Sequence, residues 1–282
     1  MEELILGMKL ESFKSAVIVM AHPDDEVLWA SSILSTARKV ILCYGEAPND
    51  ARTTEGRRTV FDEFPLSTAF NLNIAESHCY DSTHWREPVE TSYGVRCGRN
   101  KNSYKKNFHL LVKALEAHIK DGDLVVTHNP WGEYGHEEHI QVFRAVAHIG
   151  ERRNIRIFVS SYVSDRVLYF MERNTPRLAA ASDLLPTDKA LGEKLMRHYQ
   201  AHNCWTWEDG YKWPDYECFY EIVNPWAALR SDKLTMSSMP VNVIWLDEQT
   251  PTYTNALRST KKRLISGVRS LLQRTGSKSF PP

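Results

Sequence analysis

Residues Ala16 to Met20, AVIVM, form a short unbroken apolar run, the pattern of a strand covered on both faces. A second such run, Val40 to Cys43, follows, and the stretch HPDDEVLWASSILSTAR between them reads as a helix. Pro23 suits a first helical turn, Asp24, Asp25 and Glu26 suit the positive end of the helix dipole, and Arg38 suits the negative end. Strand, helix and strand make one βαβ unit. The alternation continues with a helical pattern near Arg57 to Leu72, a strand near Ser77 to Tyr80, a helix near Tyr104 to Lys120 and a strand from Asp123 to Thr127. A further helix from about His136 to Ile149 and a strand near Ile155 to Ser160 repeat it. This order predicts the α/β class: a Rossmann-like three-layer sandwich around a mostly parallel central sheet. With no internal repeat and no Gly-, Pro- or Ser-rich linker, residues 1–282 are expected to form a single domain.

Two C-terminal segments depart from the alternation. Between Tyr199 and Trp226 the chain carries Trp205, Trp207, Tyr211, Trp213, Tyr216, Phe219 and Tyr220. Such density fits an aromatic-rich cap (199–226) that packs its rings together, and equally a wall on which sugar rings stack; one segment can do both. The tail, about 256–282, is basic: Arg258, Lys261, Lys262, Arg263, Arg269, Arg274 and Lys278 occur with no acidic residue among them. Leu264, Ile265, Val268, Leu271 and Leu272 recur at helical spacing, so the tail reads as an amphipathic helix. Docking on its own domain is the commoner fate of such a helix, and peripheral contact with an anionic membrane is the alternative.

Composition narrows the function classes. Lys plus Arg and Asp plus Glu balance at 35 each, so no overall basic field is available to hold nucleic acid. Five cysteines, Cys43, Cys79, Cys97, Cys204 and Cys218, without CxxC spacing argue against both a disulfide framework and a zinc ribbon. The N-terminus lacks the basic start and apolar run of a secretory signal, and no window has the length of a spanning helix. A cytoplasmic protein is expected.

Ligands of open parallel sheets bind beyond the carboxyl ends of the strands. The loop leaving the first strand carries His22-Pro23-Asp24-Asp25-Glu26, and the loop after Asp123–Thr127 carries His128-Asn129-Pro130-Trp131-Gly132-Glu133-Tyr134-Gly135-His136-Glu137-Glu138-His139. Acidic residues and Pro at a helix start are ordinary capping chemistry, but capping does not account for His22. If His136 opens a helix, His139 lies nearly one turn further on the same face, so both rings can reach one site. Two histidines and one carboxylate, with a position left for water, are a usual set for catalytic zinc, and the same set holds ferrous iron.

On Ala21-His22-Pro23-Asp24-Asp25-Glu26 and Gly132-Glu133-Tyr134-Gly135-His136 through His139, the chain resembles the LmbE/PIG-L family of zinc-dependent de-N-acetylases, and the βαβ pattern agrees over roughly the first 160 residues. The resemblance implies zinc held by His22, Asp25 and His139, with Asp24 as catalytic base. His136-Glu137-Glu138-His139 replaces the family's usual HPDH or HPNH, which keeps both histidines. An arginine with a glutamate three residues on usually follows the family's second strand, whereas Arg57 and Arg58 here precede Val60 and Phe61. Arg58 is the expected substrate-side residue of this helix, joined by Trp131 and by His202 from Tyr199-Gln200-Ala201-His202. The expected reaction is release of acetate from an N-acetyl amino sugar, free, nucleotide-linked or lipid-linked. Asp24 would move the proton, with His136 and then Tyr134 as donors to the oxyanion. A zinc amidase for a non-sugar N-acyl conjugate and a non-catalytic carbohydrate binder are the rival readings.

Overall fold

The computed structural model describes residues 8–229 and 239–246. The chain divides into two compact units, Met1–Ile244 and Trp245–Pro282. The basic tail predicted over 256–282 lies outside the described residues, and all the elements below belong to the first unit.

Five parallel strands form the centre: β1 (Val17–Met20), β2 (Lys39–Glu46), β3 (Ala69–Ala75), β6 (Leu124–Thr127) and β7 (Arg156–Ser160). Two short strands, β4 (Glu90–Thr91) and β5 (Gly94–Val95), make a separate hairpin. Beyond β7 come β8 (Tyr162–Ser164), β9 (Leu178–Ala181), β10 (Leu185–Pro186), β11 (Tyr216–Glu217), β12 (Phe219–Ile222) and β13 (Asn242–Ile244). The main sheet has the order β3-β2-β1-β6-β7-β12-β9, with β12 antiparallel to both neighbours. The expected α/β sandwich with a mostly parallel sheet is therefore present. From β1 the chain crosses to β2 on one side; from β6 it crosses to β7 on the other. The loops leaving β1 and β6 therefore lie side by side at the carboxyl ends of the strands, where sheets of this kind bind ligands.

All four residues of β1 are buried, as an unbroken apolar run requires. Alternate residues serve opposite faces. Val17 and Val19 join Ile41, Val125, Val159 and the apolar sides of α4 (Lys101–Leu115) and α5 (Glu137–Gly150). Ile18 and Met20 join Leu42, Val126 and Phe158 beneath α1 (Asp25–Trp29), α2 (Ser31–Leu34) and α7 (Lys189–Ala201). The remaining helices are α3 (Ala51–Thr59) and α6 (Leu168–Asn174). Among the described residues, no helix is long and apolar enough to cross a membrane.

Several elements differ from the expectation, each for a local reason. The single helix expected from Pro23 to Arg38 is two short ones broken at Ala30 (φ −145°, ψ 24°). There the buried carboxylate of Glu217 accepts the Ser32 N–H at 2.7 Å, and Ser31 Oγ donates to the Asp188 carbonyl. The third helix starts at Ala51 rather than near Arg57, because Asp50 caps it by accepting the Thr53 N–H at 2.9 Å. Its expected end, Ala69–Leu72, is instead part of β3: Phe70, Leu72 and Ile74 alternate with Asn71 and Asn73 and pack on the core at period two. Residues Ser77 to Tyr80 are a loop rather than a strand. The carboxylates of Glu137 and Glu138 take the N–H groups of Ser77, Asp81, Ser82 and Thr83 there, in place of a neighbouring strand. The helix expected from Tyr104 begins at Lys101 and ends at Leu115.

The aromatic segment is not a separate cap throughout. Tyr199, Trp213, Phe219 and Tyr220 are buried, and β12 enters the main sheet, whereas Trp205, Trp207 and Tyr211 remain half-buried. The turn after α7 packs so closely on α3 that a Cβ at Gly56 would collide with the backbone carbonyl of His202. Gly56→Ala is therefore expected to destabilise the protein by about 1–3 kcal/mol through overpacking, outweighing the roughly 1 kcal/mol that helix propensity favours. The urea midpoint measures this; an unchanged or raised midpoint would refute the close approach.

Candidate metal centre

The loop after β1 turns sharply. Asp24 has φ 110° and ψ −23°, a left-handed conformation that strains a residue bearing a Cβ. Two contacts stabilise it. Its N–H donates to Glu26 Oε2 at 3.1 Å, and Tyr199 holds the other Glu26 oxygen with a 2.7 Å hydroxyl bond. Asp25 opens α1. Its Oδ1 accepts the Trp29 indole N–H at 3.0 Å, and Oδ2 accepts the His22 backbone N–H at 2.7 Å.

The loop after β6 is folded around one carboxylate. Gly132 (φ 71°), Glu133 (φ 51°) and Gly135 (φ 86°) all have left-handed backbones, and a Cβ on Gly132 would lie 2.6 Å from the His136 carbonyl oxygen. This turn buries the Glu133 side chain, whose Oε1 accepts from Ser160 Oγ (2.8 Å) and the Asn129 N–H (3.1 Å). Its Oε2 lies 3.0 Å from His128 Nδ1 and 2.8 Å from His139 Nδ1. Burial works against ionisation of Glu133, but the two imidazoles outweigh it and hold the carboxyl at about 2.

These contacts settle which ring nitrogens are free. The Ala21 N–H donates to His128 Nε2 at 2.8 Å, so the proton of His128 sits on Nδ1 and points to Glu133. Against the penalty of burial, Glu133 and Asp25 attract a second proton to this ring, yet the amide already occupies the one place for it. His139 likewise donates through Nδ1 to Glu133, and its Nε2 is buried with no hydrogen-bond partner among the described residues. That bare nitrogen lies 3.3 Å from Asp25 Oδ2. On the other side of Asp25 Oδ2, His22 Nδ1 is 3.2 Å away, while His22 Nε2 faces Glu138 Oε2 at 3.1 Å. Burial opposes a charge on His22, but Asp25 and Glu138 outweigh it and raise its pKa to about 10.

Two more rings and a carboxylate complete the site. His136 accepts the Glu138 N–H on Nδ1 at 3.2 Å, and burial, then the neighbouring His139 and His22, push its pKa well below the usual value. It is neutral, with its proton on Nε2, and stacks between Tyr80 (4.6 Å) and His139 (4.5 Å). Burial, then the charge of Asp25, raises Asp24 to about 7 against the two bonds it accepts from Thr206. Three interlocking groups of ligand atoms lie within 4.8 Å of one another: His22, His136 and His139; Asp25, His128 and His139; and His22, Glu76 and Glu138. These buried groups could hold a metal ion. The bare His139 Nε2 and the carboxylate oxygen it faces are what such an ion requires.

Of the residues singled out from the sequence, His22, Asp24, Asp25, His136, His139 and Tyr134 are brought together. The Tyr134 ring stands edge-on to His136 and His139 at 5.8 and 5.4 Å. The other three are placed elsewhere. Trp131 is wholly buried, its indole N–H on the Tyr162 carbonyl at 2.8 Å, so it is core rather than substrate surface. Arg58 is exposed and pairs with Glu55 at 3.1 Å; its neighbour Arg57, about 100° round the helix, is the one that turns inward. Arg57 meets Glu76 at 2.5 Å, and the same Glu76 oxygen is 3.7 Å from His22 Nε2. His202 caps α7 and sits 3.2 Å from Thr59 Oγ1, with its ring on His198. Sequence reasoning missed His128, Glu133 and Glu138, although all three lie inside the second motif. It also missed Glu76, Arg57 and Thr206, for which spacing gives no signal.

Comparison of the chain with protein-family models finds no match, and comparison with curated proteins finds none either.

Two outcomes follow from the protonation pattern. Glu133→Gln should weaken metal affinity by about ten- to a hundredfold, because the amide loses the negative charge and its NH2 must face either the Asn129 N–H or the two imidazole N–H groups, donor against donor. Titration with Zn2+ or Co2+ reads this, and unchanged affinity would exclude the supporting role. Because His22 carries a proton at neutral pH, binding at its Nδ1 should release about one proton per ion and tighten about tenfold per pH unit up to the His22 pKa. Calorimetry in buffers of different ionisation enthalpy counts that proton; a count of zero would remove His22 from the ligands.

Proposed function

We propose that the protein is a zinc-dependent hydrolase that removes the acetyl group of an N-acetyl amino sugar, with His22, Asp25 and His139 holding the metal. The observation that carries this reading is Asp25 Oδ2 facing imidazole nitrogens of His22 and His139, beside a second carboxylate, Asp24, that is anchored separately. A structural site has no use for that second carboxylate. The resemblance of 21–26 and 132–139 to the LmbE/PIG-L de-N-acetylases supports the same assignment of roles. Ferrous iron takes the same ligands, and metal analysis of the purified protein distinguishes the two.

A bound divalent metal supplies Lewis acidity for water activation and for carbonyl polarisation. The chain supplies the rest. Asp24 has both Thr206 bonds on Oδ2, and no hydrogen bond among the described residues reaches Oδ1, so Oδ1 is the oxygen that takes the attacking water's proton. Its raised pKa, about 7, suits a group that must accept this proton and then deliver it to the departing amine. Neutral His136 presents an Nε2–H to the oxyanion as the carbonyl becomes tetrahedral, and a neutral donor gives up no charge on doing so. Tyr134, whose hydroxyl burial keeps protonated, is the second donor.

Half-buried rings surround this centre: Tyr80 on His136, Tyr134 beside it, and Trp207 at 5.0 Å from Tyr134. They favour a ligand with a ring face to stack, as an amino sugar has, over a flexible N-acyl chain. The five cysteines are all free and buried, which fits a reducing compartment such as the cytoplasm.

Acetate release from free, nucleotide-linked and lipid-linked N-acetyl sugars tests the reading. Release is expected from the metal-loaded protein and not from the chelated one; no release from any of them would redirect it to a non-sugar amide. Asp24→Asn should keep the metal and lose about two to four orders of magnitude in kcat. Loss of metal in that variant would make Asp24 a ligand instead of the base.

A further inference from the structure

The structure assigns Thr206 as the positioning residue of the Asp24 carboxylate. Both polar groups of Thr206 meet the same oxygen: its N–H lies 2.8 Å from Asp24 Oδ2, and its hydroxyl lies 2.7 Å from it. Nothing in the loop after β1 could do this. The backbone of Asp24 is left-handed, and its N–H is committed to Glu26, so the local chain orients the peptide but not the carboxyl group. The carboxyl could otherwise turn about its last torsion, a broad and roughly two-fold rotor, and present either oxygen. Two donors on Oδ2 remove that freedom and leave Oδ1 as the reactive atom. Hydrogen bonds to an ionised group are the strong ones, so the pair is enough to select one orientation.

Thr206 reaches this place because of its neighbours. Trp207 wedges its indole edge-on against Trp29 at 5.5 Å and Tyr134 at 5.0 Å. Trp29 is itself held by Asp25 Oδ1. On the other side Trp205 closes its own turn by donating to the Glu208 carbonyl. The aromatic segment thus fastens one exposed threonine over the carboxylate from 182 residues away. Its rings do more than face a ligand; they hold the donor that orients the base. The same anchoring joins the two carboxylates, since Asp25 fixes Trp29, Trp29 packs Trp207, and Thr206 fixes Asp24.

This assignment rests on the hydrolytic reading, and its test separates the two. Thr206→Val keeps the shape and the backbone N–H but deletes the hydroxyl donor; Thr206→Ser keeps both donors. On whichever N-acetyl sugar the metal-loaded wild type hydrolyses, Thr206→Val is expected to lower kcat by about ten- to a hundredfold with KM and bound metal unchanged, and Thr206→Ser to restore most of it. Undiminished kcat in the valine variant would overturn the assignment, as would a serine variant no better than valine. A wild type that hydrolyses no amide would instead sink the hydrolytic reading. Independently of turnover, the amide of this exposed residue should be protected from hydrogen exchange and lose that protection in Asp24→Ala. Fast exchange in the wild type would show that the Asp24 bond is not held in solution.

Discussion

A buried carboxylate oxygen ringed by the nitrogens of three imidazoles, His22, His128 and His139, favours positive charge beside it, and this constraint at Asp25 Oδ2 organises the site. His22 Nδ1 and His139 Nε2 stand 3.2 and 3.3 Å from that oxygen. Against the cost of burial, Asp25 and Glu138 raise the His22 pKa to about 10 and so keep a proton on that ring. At His139 the Nδ1 proton is engaged by Glu133, and Nε2 is left without a partner in the interior. A divalent ion would replace the proton and use the bare nitrogen together.

Around this centre the protein spends many buried polar groups on orientation. Glu133 fixes two imidazoles at once, Glu138 steadies His22 while fastening the Ser77 backbone, and Glu137 gathers the Asp81 to Thr83 amides. The two glutamates between His136 and His139 thus tie the loop after β3 to the start of α5. Tyr80, in that loop, is thereby placed on His136. Buried carboxylates are tolerated here because each accepts several hydrogen bonds or faces a cationic partner. Removing any one acceptor would leave its donors unsatisfied, so the shell behaves as a unit rather than as independent pairs.

The meeting of the two loops comes from topology. Because β1 and β6 are neighbours whose chains depart to opposite sides, the first and second motifs meet although more than a hundred residues separate them, as the 107-residue span of the Ala21–His128 bond records. The antiparallel β12 extends the sheet and carries the chain back from the aromatic segment. Just before it in the chain, β11 brings in Glu217, which accepts the Ser32 N–H where the first helix breaks.

The amino-acid sequence by itself determined four of the five central strands, since an unbroken run such as VIVM has no stable place except between two covered faces; β3, where Asn71 and Asn73 interrupt the apolar residues, read instead as the end of a helix. Strand ends and helix spacing also put His22, Asp24, Asp25, His136 and His139 on one rim, while singling out His22, Asp25 and His139 as a ligand set came only from the resemblance to the de-N-acetylases. What the sequence left open are the matters that depend on partners remote in the chain. The break at Ala30 is made by Glu217, the loop at Ser77 by Glu138, and the fixing of Asp24 by Thr206. Trp131 and Arg58 were misplaced for a related reason. Spacing gives the side of an element but not its depth, and which of the adjacent Arg57 and Arg58 turns inward is set by the remote Glu76 that Arg57 meets. Local pattern is enforced by backbone periodicity and burial, which neighbouring residues share. Protonation and side-chain orientation are enforced by single hydrogen bonds, and only the tertiary structure decides which groups make them.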